Sequence, residues 1–155
     1  MSADAPLQDV FLLSGAIHCS ADPSVVTTVL GSCVGVCLWD SVRQTGGMNH
    51  FVLPLSPDGD RTPRYGDVAI DRLVEAMVRH GSRTEDLTAK LFGGANVLPY
   101  DLGHDTVGTR NVQLALKQLH RHGIPVAARR TGGERGLLVK FHTQSGLAMV
   151  KPIEP

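Results

Sequence analysis

Between residues 10 and 151 the apolar side chains fall into short runs with the two-residue period of strands, interrupted by only two stretches with a three- and four-residue period. The first, 67–80, repeats Val68, Ile70, Leu73, Val74, Met77 and Val78 and meets Gly81 as a stop. The second, 107–122, carries Val112, Ala115, Leu116 and Leu119 before Gly123. Strand-like runs occupy 10–19 (with a bend at Gly15), 25–30, 34–39, 48–53, 87–92, 124–129, 137–142 and 147–151. An order of strands, helix, strand, helix, strands predicts an α+β fold: a layered sandwich of mixed β-sheets with the two helices packed on the outside.

The stretch 27–50 combines strand pattern with reactive groups. Val34, Val36 and Leu38 alternate with Gly35, Cys37 and Trp39, so Cys33 stands where a strand begins, just after the turn-forming pair Gly31-Ser32. The polar segment 40–47 then turns the chain into the next strand, which contains His50. Adjacent strands bring Cys33 and His50 together. A cysteine with an ordinary pKa of about 8.5 is a poor nucleophile at neutral pH, and a neighbouring imidazolium corrects that. The competing reading is a buried inert thiol beside a core histidine.

Other features carry less chemistry. His18 and Cys19, with Cys33 and Cys37, suggest a metal, but residues four apart on a strand lie roughly 13 Å from one another and the close pairs of a zinc site are missing. No metal or cofactor is expected. Cys37 reads as core, and Trp39 on the same face as core or rim. Gly93-Gly94-Ala95-Asn96 lacks the spacing of a phosphate loop; its glycines permit close backbone approach and Asn96 offers an amide to a substrate. The loop 54–64 is a candidate groove wall or a solvated connector, Asp67 is positioned to cap the first helix, and His120 and His122 suit a helix C-terminus.

The chain of 155 residues suits one domain, 1–155. Its net charge of zero and pI near 7.1 give it no general attraction for nucleic acid or an anionic membrane. No apolar run reaches the ~18 residues of a membrane span, and the opening MSADAPLQDV is not a secretion signal, so a cytoplasmic location without membrane insertion is expected. Three cysteines in such a chain argue for reduced thiols.

The motif TxxLGSCVGVCLWD followed by GGMNHFVLP resembles the CheD family of bacterial chemotaxis proteins. The likeness continues through RYGDVAIDRLVEAM, KLFGGANVL, VGTRNVQLAL, HGIPVAA and TGG. It implies a chemoreceptor glutamine deamidase, that is a protein-glutamine glutaminase, with a Cys-His-Thr triad. The family's threonine stands six positions before the cysteine and its histidine seventeen after, which gives Thr27, Cys33 and His50. Thr28 competes for the threonine role; strand parity puts it on the opposite face from Thr27. Gly31, Ser32 and Asn96 are candidates for the oxyanion and substrate contacts.

The resemblance further implies a fold similar to toxin glutamine deamidases and, as partner, the cytoplasmic domain of methyl-accepting chemotaxis receptors. It also implies receptor methyl-ester hydrolysis, and names the CheC phosphatase as a second partner. An adaptor with little catalysis and a small-molecule amidase are the alternatives. Arg110 and Asn111 belong to a family motif that suggests loop anchoring. Arg129, Arg130 and Thr131 depart from the acidic residue usual before the Gly-Gly turn.

Overall fold

The computed structural model describes residues 6–97 and 105–154. The first five residues, part of the segment compared with a secretion signal, lie outside that range. Among the described residues, nine strands and two α-helices follow one another as β1 (Gln8–Phe11), β2 (Ile17–Ser20), β3 (Ser24–Leu30), β4 (Val34–Asp40), β5 (Thr45–Asn49), α1 (Gly66–Arg79), β6 (Leu87–Gly93), α2 (Val107–Arg121), β7 (Val126–Thr131), β8 (Leu137–His142) and β9 (Ala148–Pro152), with one 3-10 turn at Thr84–Asp86 before β6. They make two mixed sheets, of order β1-β3-β8-β9 and β2-β5-β4-β6-β7. Among the named strands, parallel pairing joins β1 with β3 and β6 with β7, and an isolated parallel bridge joins Leu53 and Tyr65.

The alternation along β4 fixes the layers. Val34, Val36 and Leu38 point to one side and join Ile70, Leu73, Met77, Ala115 and Leu119 from the helices in one core. Cys37 points to the other side, into a second core with Val26, Leu30, Met48, Val139 and Phe141 between the sheets. The five-stranded sheet is therefore sandwiched, with helices on one face and the four-stranded sheet on the other. That is the α+β arrangement the element order implies. At the far end of β4 the buried Asp40 accepts a 2.6 Å hydrogen bond from Ser82 Oγ.

Two local readings change. The run 10–19 is not one bent strand: Gly15, at φ +81°, ends a crossing from one sheet to the other, so β1 and β2 lie in different layers. Asp67 serves α1 from within its first turn and is not the N-cap. The N-cap is Tyr65, without a side-chain bond, while Asp67 accepts from Val68 N–H (2.9 Å) and also from Ser56 N–H (3.1 Å) and Ser56 Oγ (2.9 Å), tying the loop 54–64 to the helix. Gly66 lets the start of α1 pack closely, since a Cβ there would come within 2.7 Å of Phe51 Cε2 and 2.8 Å of Leu114 Cδ1 and would make those side chains shift.

Candidate active site

Cys33 and His50 are brought together by the pairing of β4 with β5. The ladder runs from Asp40↔Thr45 to Cys37↔Met48, and is extended by an antiparallel bridge between Val34 and Phe51, whose N–H and C=O groups exchange bonds of 3.1 and 2.9 Å. Val34 and Phe51 both face the helices. Cys33 and His50, each one residue earlier, turn to the opposite face, toward the four-stranded sheet. In that register Cys33 is opposite Val52, so Cys33 and His50 are diagonal neighbours on one face. Cys33 is half-buried and His50 buried. The Cys33 thiol makes no hydrogen bond to the ring among the described residues.

The third group comes from the other sheet. Thr28 Oγ1 lies 2.8 Å from His50 Nδ1 and donates to the carbonyl of Leu12 at 2.7 Å. A hydroxyl has one proton, and the Leu12 carbonyl takes it. Toward the imidazole Thr28 can only accept, so Nδ1 carries the hydrogen and the lone pair of the neutral ring sits on Nε2. Thr27, the threonine selected by the family spacing, is not the one at the histidine. β3 runs unbroken through Ser24–Leu30, so Val26, Thr28 and Leu30 face the inter-sheet core and Thr27 faces outward with Val25 and Val29. Thr27 contributes its backbone carbonyl, which accepts from Leu12 N–H at 2.8 Å.

A cysteine, a histidine and a threonine converging on one face invite comparison with known proteins. The family model described as "CheD chemotactic sensory transduction" matches residues 52–152. The probable chemoreceptor glutamine deamidase CheD of Rhodospirillum rubrum is 54% identical over 144 residues, 93% of this chain and 82% of its own length. The chain belongs to the CheD family. Its similarity to the proteins of that name from Anaeromyxobacter dehalogenans (48% identity, 93% of this chain and 84% of the relative) and Trichlorobacter lovleyi (44%, 94% and 91%) is as extensive.

Cys33 is held by the loop that follows β6. Gly94 N–H donates to the Cys33 carbonyl and Ala95 N–H to the Gly31 carbonyl, both at 2.9 Å. A Cβ on Gly93 would collide with the Cys33 carbonyl, and one on Gly94 with Val112 of α2; both residues have positive φ, +104° and +69°. These glycines allow the close approach that the sequence suggests. Gly31 does not need to be glycine for space, since its nearest neighbour, Val97, would be 3.8 Å from a Cβ. Ser32 and Asn96 line a groove of about 300 Å³ with Val52, Leu53, Val97 and Val107. The groove thus reaches the residue before Cys33, and Asn96 is on its wall. Asn111 of α2, fully buried, donates from Nδ2 to the Ser32 carbonyl (3.0 Å) and the Val52 carbonyl (2.9 Å), a bridge the sequence reading described only as anchoring.

Burial governs the site's electrostatics. It holds the His50 imidazole below its ordinary value, with the Leu12 carbonyl pulling partly the other way. It pushes the Cys33 thiol up, offset in part by its own backbone N–H and by the Arg64 charge. The resting pair at neutral pH is thus thiol and neutral imidazole, not the thiolate and imidazolium of the sequence reading, because a buried ring sheds its proton before it can stabilise a thiolate. Arg64 reaches the site because its carbonyl accepts from Val52 N–H at 2.8 Å. Cys37 is buried outright and its thiol is pushed far up, which suits packing alone.

The suggested metal set is dispersed. His18 Nε2 meets Ser24 Oγ at 3.2 Å, and Cys19 Sγ meets Met77 Sδ at 3.5 Å and His80 Nδ1 at 3.7 Å. Among the described residues no group of three or more histidines, cysteines and carboxylates is placed to hold a metal ion, and no helix is long and apolar enough to cross a membrane.

Proposed function

We propose that this protein hydrolyses glutamine side-chain amides to glutamate in methyl-accepting chemotaxis receptors, in the cytoplasm, with Cys33 as nucleophile, His50 as base and acid, and Thr28 as the group that orients His50. The observation that carries this is the Leu12–Thr28–His50 relay, which leaves Nε2 unprotonated on the face shared with Cys33. The names of the relatives support the substrate class.

In the first half-reaction Nε2 removes the Cys33 proton as sulfur attacks the amide carbon. The carbonyl oxygen becomes an oxyanion beside the backbone N–H of Ser32, with Asn96 on the groove wall as a further donor. His50 passes its proton to the departing nitrogen, ammonia leaves and a thioester remains. Water, deprotonated by the same Nε2, attacks the thioester, and sulfur leaves as the thiol when it regains the proton. A glutamyl methyl ester follows the same course with methanol leaving. No step calls for a metal or cofactor.

Mass spectrometry of a receptor cytoplasmic fragment after incubation tests the reading. Single-site gains of about one dalton, amide to acid, are expected, and free glutamine should be left untouched. Binding to the fragment, or to the CheC phosphatase, without any such gain would select the adaptor instead. Thr28→Val should lower turnover by about tenfold to a hundredfold by freeing the ring, and Thr27→Val should change it little. The opposite ranking would assign the orienting role to Thr27.

A further inference from the structure

We infer that Asn111 is a positioning residue that sets the separation between the Cys33 thiol and the His50 imidazole. The inference rests on the Cys33–His50 reading above and concerns the point where the two strands lose their ladder. Beyond the Val34–Phe51 bridge, Val52 N–H no longer faces β4 but donates to the Arg64 carbonyl. Two carbonyls are then left, Ser32 one residue before the nucleophile and Val52 two residues after the base, and neither can bond the other. A group with two hydrogens on one atom is needed between them. The Asn111 amide supplies it at 3.0 and 2.9 Å, uncharged and fully buried.

The clamp stands on a fixed base. A Cβ on Gly108 of α2 would collide with the Gly94 carbonyl, and Gly94 and Ala95 hold the carbonyls of Cys33 and Gly31. The helix therefore holds the segment before the nucleophile directly through Asn111 and indirectly through the Gly94–Ala95 loop, and the chain after the histidine through Asn111. Without the amide, the partly buried Ser32 and Val52 carbonyls are left facing each other unpaired and repel, so the strands part on the side where Cys33 and His50 must meet. Asn111 is not among the residues lining the groove, so its own side chain does not touch a substrate bound there.

The test compares wild type with Asn111→Ala, Asn111→Ser, His50→Gln and, as a control losing a buried hydrogen bond far from the site, Ser82→Ala. Each is read for kcat and KM on a receptor fragment and for the pH dependence of Cys33 labelling by iodoacetamide. Arg64 faces the thiol, and Thr28 and the Leu12 carbonyl face the ring; all are unchanged in the Asn111 variants.

Wild type and Ser82→Ala should show an inflection below pH 6.5 that His50→Gln lacks. Asn111→Ala should lose about a hundredfold in kcat with KM within about twofold, and should lose that inflection. Asn111→Ser, with one donor on a shorter arm, should fall between and gives the reading if the alanine variant does not fold. Wild-type kcat together with a retained inflection in either variant overturns the inference while leaving the Cys33–His50 pair intact. An inflection missing from wild type itself overturns both.

Discussion

Cys33→Ala should release no ammonia from a chemoreceptor fragment while the protein stays folded. The sulfur is the only protein atom in the proposed route that forms a bond to the substrate carbon, so its loss leaves groove and histidine with no nucleophile for the first step. The fold should survive because Cys33 is only half-buried at the rim of the inter-sheet core. Cys37→Ala provides the contrast. That side chain is 1% exposed among Val26, Met48 and Phe141, so its truncation leaves a cavity and lowers the melting temperature, with turnover per folded molecule unchanged. Ammonia release and thermal melts on the two variants give the answer. Equal activity in wild type and Cys33→Ala would end the case for this nucleophile.

His50→Gln should lower kcat by about 10²–10⁴, the range for a lost general base, and should also erase the acid limb of the pH profile. The sign follows from burial. The free-enzyme base is neutral imidazole, and burial shifts its protonation to a pH below the ordinary 6.5. Wild-type kcat/KM should therefore hold level as pH falls through 6.5 and drop only beneath it, where His50 takes up a proton and can no longer accept one from Cys33. On the alkaline side no loss is expected up to the usual thiol range, because the Cys33 thiol is pushed up. A half-point above 6.5 would mean that the resting pair is ionised after all. Profiles of kcat/KM from pH 5 to 9 for both proteins distinguish these cases.

Much of the layering can be read directly from β4. Its two apolar faces require cover on both sides, and only two stretches have helical period, so one cover is helical and the other is a sheet. Cys33 and His50 were likewise legible, because an antiparallel ladder is local and its register follows from a short turn between consecutive strands. Thr28 was not. The family spacing favours Thr27, and deciding between adjacent threonines requires knowing which face of β3 meets the other sheet. That is set by the long-range pairing of β3 with β8, Thr28↔Val139 and Thr27↔Lys140.

By itself, then, the order of residues determined the two stretches of helical period, the two-faced strand, and the cysteine and histidine that one hairpin carries. The tertiary structure decided what depends on contacts between distant segments. The crossing at Gly15 carries the Leu12 carbonyl to Thr28 and so selects the tautomer of His50. Burial from the second sheet makes the resting pair neutral. The amide of Asn111 joins two carbonyls from strands that α2 does not adjoin in sequence. Strand period is a property of neighbours along the chain. Proton position and local dielectric depend on whatever is folded against a group, and no local pattern encodes them.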